Sequence, residues 1–219
     1  MERQVSLDEI SDGKLYGLND MVRADCGECE GCSACCHGMG NTIVLDPLDI
    51  HRLSVELGKT FEEMIDHQIE LHVVDGMILP SLKMDGEDEA CVFLNKEGRC
   101  SIHKSRPGIC RLFPLGRYYE NRGFQYFLQI HECKKQNRTK TKVKKWIDTP
   151  DLKQNQEFIA EWHFFLKDLQ EKVERSQDEN LRRSAALYVL NQFYVTGYEE
   201  GRFYEQFGER LEASREELK

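Results

Sequence analysis

Nine cysteines punctuate the 219-residue chain, all of them between Cys26 and Cys133. Cys26, Cys29, Cys32 and Cys35 recur at three-residue intervals, and Cys36 doubles the last of them. Two-residue spacers let a turning loop aim successive sulfurs at one centre, the device of both zinc sites and iron–sulfur clusters. Neighbouring side chains such as those of Cys35 and Cys36 diverge, so the pair suits two sites or a larger cluster better than one small tetrahedral ion. A second group follows in Cys91, Cys100 and Cys110, with Cys133 further on. The stretch from Cys91 to Cys100 has the pattern of a hairpin whose ends bring both thiols to one side. Cys110 sits just after a proline-started turn with Arg106 before it and Arg111 beside it. Four thiolates on Zn(II), or on an oxidised four-iron cluster, leave about two net negative charges, which Arg106 and Arg111 are placed to offset. His37, His103 and His131 can ligate through neutral imidazole, but an outer or solvated position is the expected one. The acidic run Asp85, Glu87, Asp88 and Glu89 has the composition of a solvated loop.

The elements that must position these thiols are legible in part. Asp46-Pro47, the apolar positions Leu48, Ile50, Leu53, Val55 and Leu57, and the stop at Gly58 predict a helix over 47–57. Thr60 and Glu63 form a capping-box pattern ahead of Met64, Ile65, Ile69 and Leu71, which predicts a second helix over 61–72. Short strands are expected at Met77–Leu79, Val92–Leu94, Tyr118–Tyr119 and Phe124–Ile130, with turn residues at Asn121, Arg122 and Gly123. Beyond Thr149-Pro150 there is no cysteine. Phe158, Trp162, Phe165 and Leu169 share one helical stripe there, the pattern recurs from Leu181 to Phe193, and Phe203, Phe207 and Leu211 continue it. Such a stripe is the mark of a core-facing helix before it is that of a nucleic-acid platform. The expected fold is therefore α+β: a small cysteine-rich metal-binding core with short strands and helices over residues 1–133, a basic linker over 134–149, and an α-helical C-terminal extension over 150–219.

Composition narrows the function classes. Apolar residues make up 40%, charged residues 32%, and the net charge is -9. No apolar run reaches the ~20 residues of a membrane helix. The N-terminal residues lack the basic and apolar regions of a signal peptide, which places the chain in the cytosol as an expectation. Thiols stay reduced there and an odd cysteine count cannot pair fully within one chain, so ligation outranks disulfides and ordinary buried thiols as the explanation for so many. Lys134 to Lys145 is strongly basic, yet aromatic residues are absent from it until Trp146 and the chain as a whole is acidic. A solvated connector is expected, and nucleic acid is not an expected partner.

The order Cys29-x2-Cys32-x2-Cys35-Cys36, then Cys91 to Cys100, then Arg106-Pro107-x2-Cys110-Arg111-x-Phe113-Pro114 resembles the YkgJ-type CxxCxxCC cysteine-cluster family, over roughly residues 26–133. That family is described as a zinc- or iron-chelating domain. The resemblance implies a bound metal with Cys29, Cys32, Cys35, Cys36, Cys91, Cys100 and Cys110 in family-like positions, and it supplies no reaction. Cys26 precedes the motif. Some flagellin lysine methyltransferases carry a similar cluster, although this chain has no G-x-G-x-x-G loop for a nucleotide-like cofactor.

These readings lead to a metal-binding protein that holds an iron–sulfur cluster, of the 4Fe-4S type, for electron transfer, redox sensing or a cluster-dependent modification. The expected ligands are drawn from Cys29, Cys32, Cys35, Cys36, Cys91, Cys100, Cys110 and Cys133, and the partner is an unidentified redox or other protein. A zinc-stabilised interaction module and a methyltransferase-like enzyme are the alternatives.

Overall fold

A computed structural model of the chain describes residues 6–27, 32–135 and 137–218. A four-residue helix, α1 (Leu7–Ile10), leads into β1 (Ser11–Tyr16) and β2 (Met21–Asp25). Helix α2 (Pro47–Leu57) has the predicted limits. The Asp46 carboxylate accepts the Asp49 N–H at 2.9 Å, the Asp49 carboxylate accepts the Asp46 N–H at 3.3 Å, and Gly58 ends the helix at φ 62°. The reciprocal cap satisfies two of the donors that a helix N-terminus leaves open.

The second predicted helix is corrected to a single turn. The capping box of Thr60 and Glu63 forms, but α3 stops at Phe61–Met64, and Ile69–Val74 becomes strand β3, paired antiparallel with β4 (Met77–Leu82). Asp75 and Gly76 both adopt positive φ between the strands, the two-residue turn that matches the twist of a hairpin. That turn and the β-branched Ile69, Val73 and Val74 outweigh the helical spacing. Strands β5 (Met84–Asp85) and β6 (Ala90–Cys91) form a further pair. Val92–Leu94, expected as a strand, is mainly a turn, closed by a bridge between Leu94 and Cys100.

After the short helix α4 (Gly108–Leu112), β7 (Leu115–Glu120) and β8 (Gly123–Gln129) form the expected hairpin about Asn121 and Arg122, and β1 adds on the other side to give the order β1-β8-β7. The predicted linker is corrected as well. Thr139–Lys142 is strand β9, paired antiparallel with β2, and Val143–Ile147 is helix α5, with Val143 0% and Ile147 4% exposed. These two apolar side chains join Val22, Ala24, Leu112, Leu115, Tyr126 and Leu128 in a small core of their own, so the basic segment folds because every third or fourth residue has somewhere to bury.

The C-terminal region consists of α6 (Leu152–Ser176), α7 (Glu179–Leu190), a π-helical turn at Asn191–Val195, and α8 (Phe203–Glu217). The aromatic stripe packs as core: Trp162 and Phe193 lie 4.9 Å apart between ring centroids, and Phe158 and Phe207 4.6 Å. These rings share one continuous core with Leu45, Leu53, Phe61, Met64 and Ile69, and the buried Tyr194 hydroxyl donates to the Leu45 carbonyl at 3.1 Å. The helices that follow residue 150 thus complete the core of the cysteine-bearing part. None of the described helices is long and apolar enough to cross a membrane.

Candidate metal centre

The Cys35-Cys36 pair sits on a 3-10 turn, Ala34–Cys36, in which the Cys36 N–H donates to the Ser33 carbonyl at 2.8 Å. The next residues strap this turn to β6. His37 bridges Ala90, and the Gly38 N–H donates to the Glu89 carbonyl at 3.0 Å, which brings the pair beside Cys91. The loop to Cys100 is held by the Asn95 N–H on the Arg99 carbonyl and by the Arg99 N–H on the Asn95 side-chain oxygen, both at 2.8 Å. The Cys91 sulfur accepts the Phe93 N–H, and the Cys100 sulfur accepts the Ile102 N–H. An N–H two residues past a cysteine and aimed back at its sulfur stabilises thiolate, which is the form that binds metal.

Cys110 comes from a third direction, on α4. The first N–H of that helix, at Gly108, donates to Asp49 Oδ1 at 2.8 Å, so the carboxylate that caps α2 also seats the helix bearing Cys110. Asp49 is only 3% exposed. Burial lifts both carboxyls of the cap: Asp46 to about 7, helped by the Asp49 charge, and Asp49 in the same direction. Asp49 was not singled out from sequence. Its signal was present in the Asp46-Pro47-x-Asp49 spacing, where the fourth residue fits the capping box.

Cys35, Cys36, Cys91, Cys100 and Cys110 therefore share a neighbourhood, and Cys35 acts electrostatically on each of the other four. The Cys36 thiol donates to the Cys35 sulfur, which lowers Cys35 to about 7 and raises Cys36. Burial raises Cys91, Cys100 and Cys110, and for Cys110 the Asp49 and sulfur charges add to it. Sulfurs that disfavour one another's ionisation form an electrostatic problem that a bound cation relieves.

The two arginines expected to balance that charge are used differently. Arg106 lies close enough to Cys35 and Cys100 to favour their thiolates, its Nη1 contacts His103 Nε2, and its buried Nε has no hydrogen-bond partner among the described residues. Arg111, 7% exposed, donates to the backbone carbonyls of Arg106 at 3.2 Å, Asp148 at 3.0 Å and Lys104, and so ties α4 to the end of α5. His37 Nδ1 lies 2.9 Å from the Ser33 carbonyl, and His131 is exposed, as are Asp85, Glu87, Asp88 and Glu89.

The remaining described thiols lie elsewhere. Cys26, Cys32 and Cys133, together with Cys35, line a small cavity under Trp146. Cys29 falls outside the described residues. None of the eight described cysteines is in a disulfide. Among the described residues no three Cys, His, Asp or Glu side chains have the spacing of ligands around one ion. The donor chemistry nonetheless fits a thiophilic metal: soft sulfurs from several chain segments, N–H groups directed at two of them, and an unpaired guanidinium N–H beside them.

A family model described as "Putative zinc- or iron-chelating domain", CxxCxxCC, matches residues 28–141, just over half of the chain. The chain belongs to the CxxCxxCC family. No curated protein and no solved structure is significantly similar to it. Membership supports metal binding as the role of the cysteine region. The family span runs through Cys133 and into β9, and it leaves Cys26 outside.

Proposed function

We propose that this CxxCxxCC protein carries an iron–sulfur cluster, of the four-iron type, on ligands drawn from Cys35, Cys36, Cys91, Cys100 and Cys110, and uses it for electron transfer, redox sensing or a cluster-dependent modification. The observation that carries the reading is the grouping of these thiols against an apolar wall. Cys91 belongs to the main core, and Cys36, Cys100 and Cys110 pack on it beside Met39, Met84, Val92 and Ile109. Low solvent access, N–H groups directed at sulfur and a nearby guanidinium are the means by which a protein sets a cluster's potential. When bound, the cluster supplies one-electron chemistry. The chain's part is to hold the thiolates through the Phe93 and Ile102 N–H groups, to offset their charge with Arg106, and to fix Cys110 through Asp49.

The decisive experiment is iron, zinc and labile sulfide analysis with an absorption spectrum, on full chain made with ample iron and purified without oxygen. Brown protein with charge-transfer absorption near roughly 400 nm that bleaches on reduction is the expected result. Colourless protein holding only zinc, and losing structure to a chelator, replaces the cluster with the zinc-stabilised module.

A further inference from the structure

The basic segment folds with its charges sorted to one side. Strands β2 and β9 pair antiparallel, with Met21 opposite Lys142 and Val22 opposite Thr141. Successive strand residues face opposite ways, and Val22 and Ala24 are 1% and 0% exposed. One face of the ribbon is therefore core, while Arg23, Lys140 and Lys142 are exposed. Helix α5 repeats the division: Val143 and Ile147 are buried, and Lys144 and Lys145 are exposed. Among the described residues no ion pair holds any of these five cations. The carboxylates of Asp20 and Asp25, nearest along β2, accept the backbone N–H groups of Gly17 and Gly27. Residues 134–147 hold seven basic side chains and no acidic one, in a chain whose net charge is -9. Packing asks only for the apolar positions of this segment, so the crowded like charges cost self-repulsion that the fold does not require.

The basic face adjoins the sulfur centre. Trp146 on α5, half-buried, lines one small cavity together with Lys134, Lys135 and Cys35, and Cys35 acts on the sulfurs of Cys36, Cys91, Cys100 and Cys110. The indole Nε1 donates to the carbonyls of Leu112 at 3.2 Å and Phe113 at 3.1 Å, at the end of the helix that bears Cys110. We propose that the exposed face of β9 and α5, beside Trp146, is the docking surface for an acidic one-electron carrier protein. The proposal rests on the cluster reading: the reduced carrier gives up one electron, the cluster takes it, and no bond forms or breaks. Charge complementarity selects the partner, because a compact acidic surface is steered onto the lysines and held in register by them. Electron-transfer encounters use small contacts of this kind, and a half-buried tryptophan supplies the aromatic element that interface centres favour. A long polyanion would run past the patch onto the acidic remainder of the chain, and the segment offers no row of aromatic rings for bases to stack on.

The test mixes full chain, loaded with iron and sulfide, with a reduced acidic flavodoxin in a stopped-flow spectrometer and follows bleaching near roughly 400 nm. The expected result is a second-order rate that falls about tenfold from low to high salt. The Lys140→Glu/Lys142→Glu variant should lose about tenfold at low salt, whereas Arg183→Glu/Arg215→Glu, the same charge change at exposed positions of α7 and α8, should stay within about twofold of wild type. An undiminished rate in the lysine variant, an equal loss in both variants, or loaded wild-type chain that takes no electron from the flavodoxin overturns the docking face and leaves the cluster reading standing. Chain that retains no iron and sulfide overturns the cluster reading, and this proposal with it. Binding of a duplex oligonucleotide, or dimerisation, that the lysine changes abolish gives the face another occupant and also overturns the proposal. Should circular dichroism show that the lysine variant does not fold, the wild-type rate decides, and independence from salt counts against the face.

Discussion

The two groups of thiols differ in what holds them. Cys36, Cys91, Cys100 and Cys110 pack on the main hydrophobic core, which the C-terminal aromatic helices complete. Cys26, Cys32 and Cys133 belong to neither buried cluster and lie beside the smaller core of Val22, Leu112, Val143 and Ile147. Burial of apolar surface positions the first group before any metal arrives, at the cost of thiols that resist ionising. The second group hangs on a two-stranded ribbon and loop ends, elements that are marginal alone. Packing therefore fixes the first group more firmly than the second.

The strongest way to break this contrast is to damage each core separately. Trp162→Ala is expected to cost about 3–5 kcal/mol in urea unfolding and to release metal from the centre around Cys110. Ile147→Ala is expected to cost about 2–3 kcal/mol and to speed alkylation of Cys26, Cys32 and Cys133 before that of the first group. An equal change at both groups of thiols in either variant would mean that the cores do not act separately. Asp49→Ala removes a cap and leaves the Gly108 N–H without its carboxylate, for about 2–3 kcal/mol, with metal lost from the centre around Cys110. Asp49→Asn, which keeps an acceptor, should recover most of this in the same two measurements.

A smaller effect sharpens the comparison at the second group. Trp146→Phe keeps a smaller aromatic ring and removes the donor to the Leu112 and Phe113 carbonyls, so a loss of about 1 kcal/mol of stability and faster alkylation of Cys26 and Cys133 are expected. The smallest signal is in proton chemistry. In metal-free chain the iodoacetamide reactivity of Cys35 should rise through about pH 7, since the Cys36 thiol hydrogen bond favours its thiolate, while Cys36 stays unreactive. Cys91, Cys100 and Cys110 are pushed up and so protonated at neutral pH. Metal uptake at the centre around Cys110 should therefore release protons, and its affinity should rise with pH.

Local chemistry was readable in the sequence wherever it decided the structure. The cap at Asp46, the stop at Gly58, the Asn121-Arg122 turn and the aromatic stripe from Phe158 to Leu169 all act within a few residues, and each is present as expected. Strands β1, β2 and β9 were not anticipated because their partners are remote: β2 pairs across more than a hundred residues with a lysine-rich segment whose composition suggests solvent. The run from Ile65 to Leu71 kept a helical period while the Asp75-Gly76 turn downstream dictated a hairpin. At the site, the cysteine spacing located the metal region, but it could not sort the thiols between two neighbourhoods, because strand pairing and the seating of α4 by Asp49 do that. The same limit hid the division between Arg106, turned toward sulfur, and Arg111, spent on carbonyls.

The shared core also separates two boundaries that are easily taken for one. The family's signature ends at residue 141, whereas the apolar surface around Leu45, Leu53, Phe61, Met64 and Ile69 is covered by side chains from Phe158 to Leu211. A fragment trimmed to the signature would keep eight of the nine cysteines and bare that surface, and such a patch drives aggregation. The unit recognised by its cysteines is thus smaller than the unit that shares one core, and the last third of the chain covers the apolar surface that the motif's own span leaves bare.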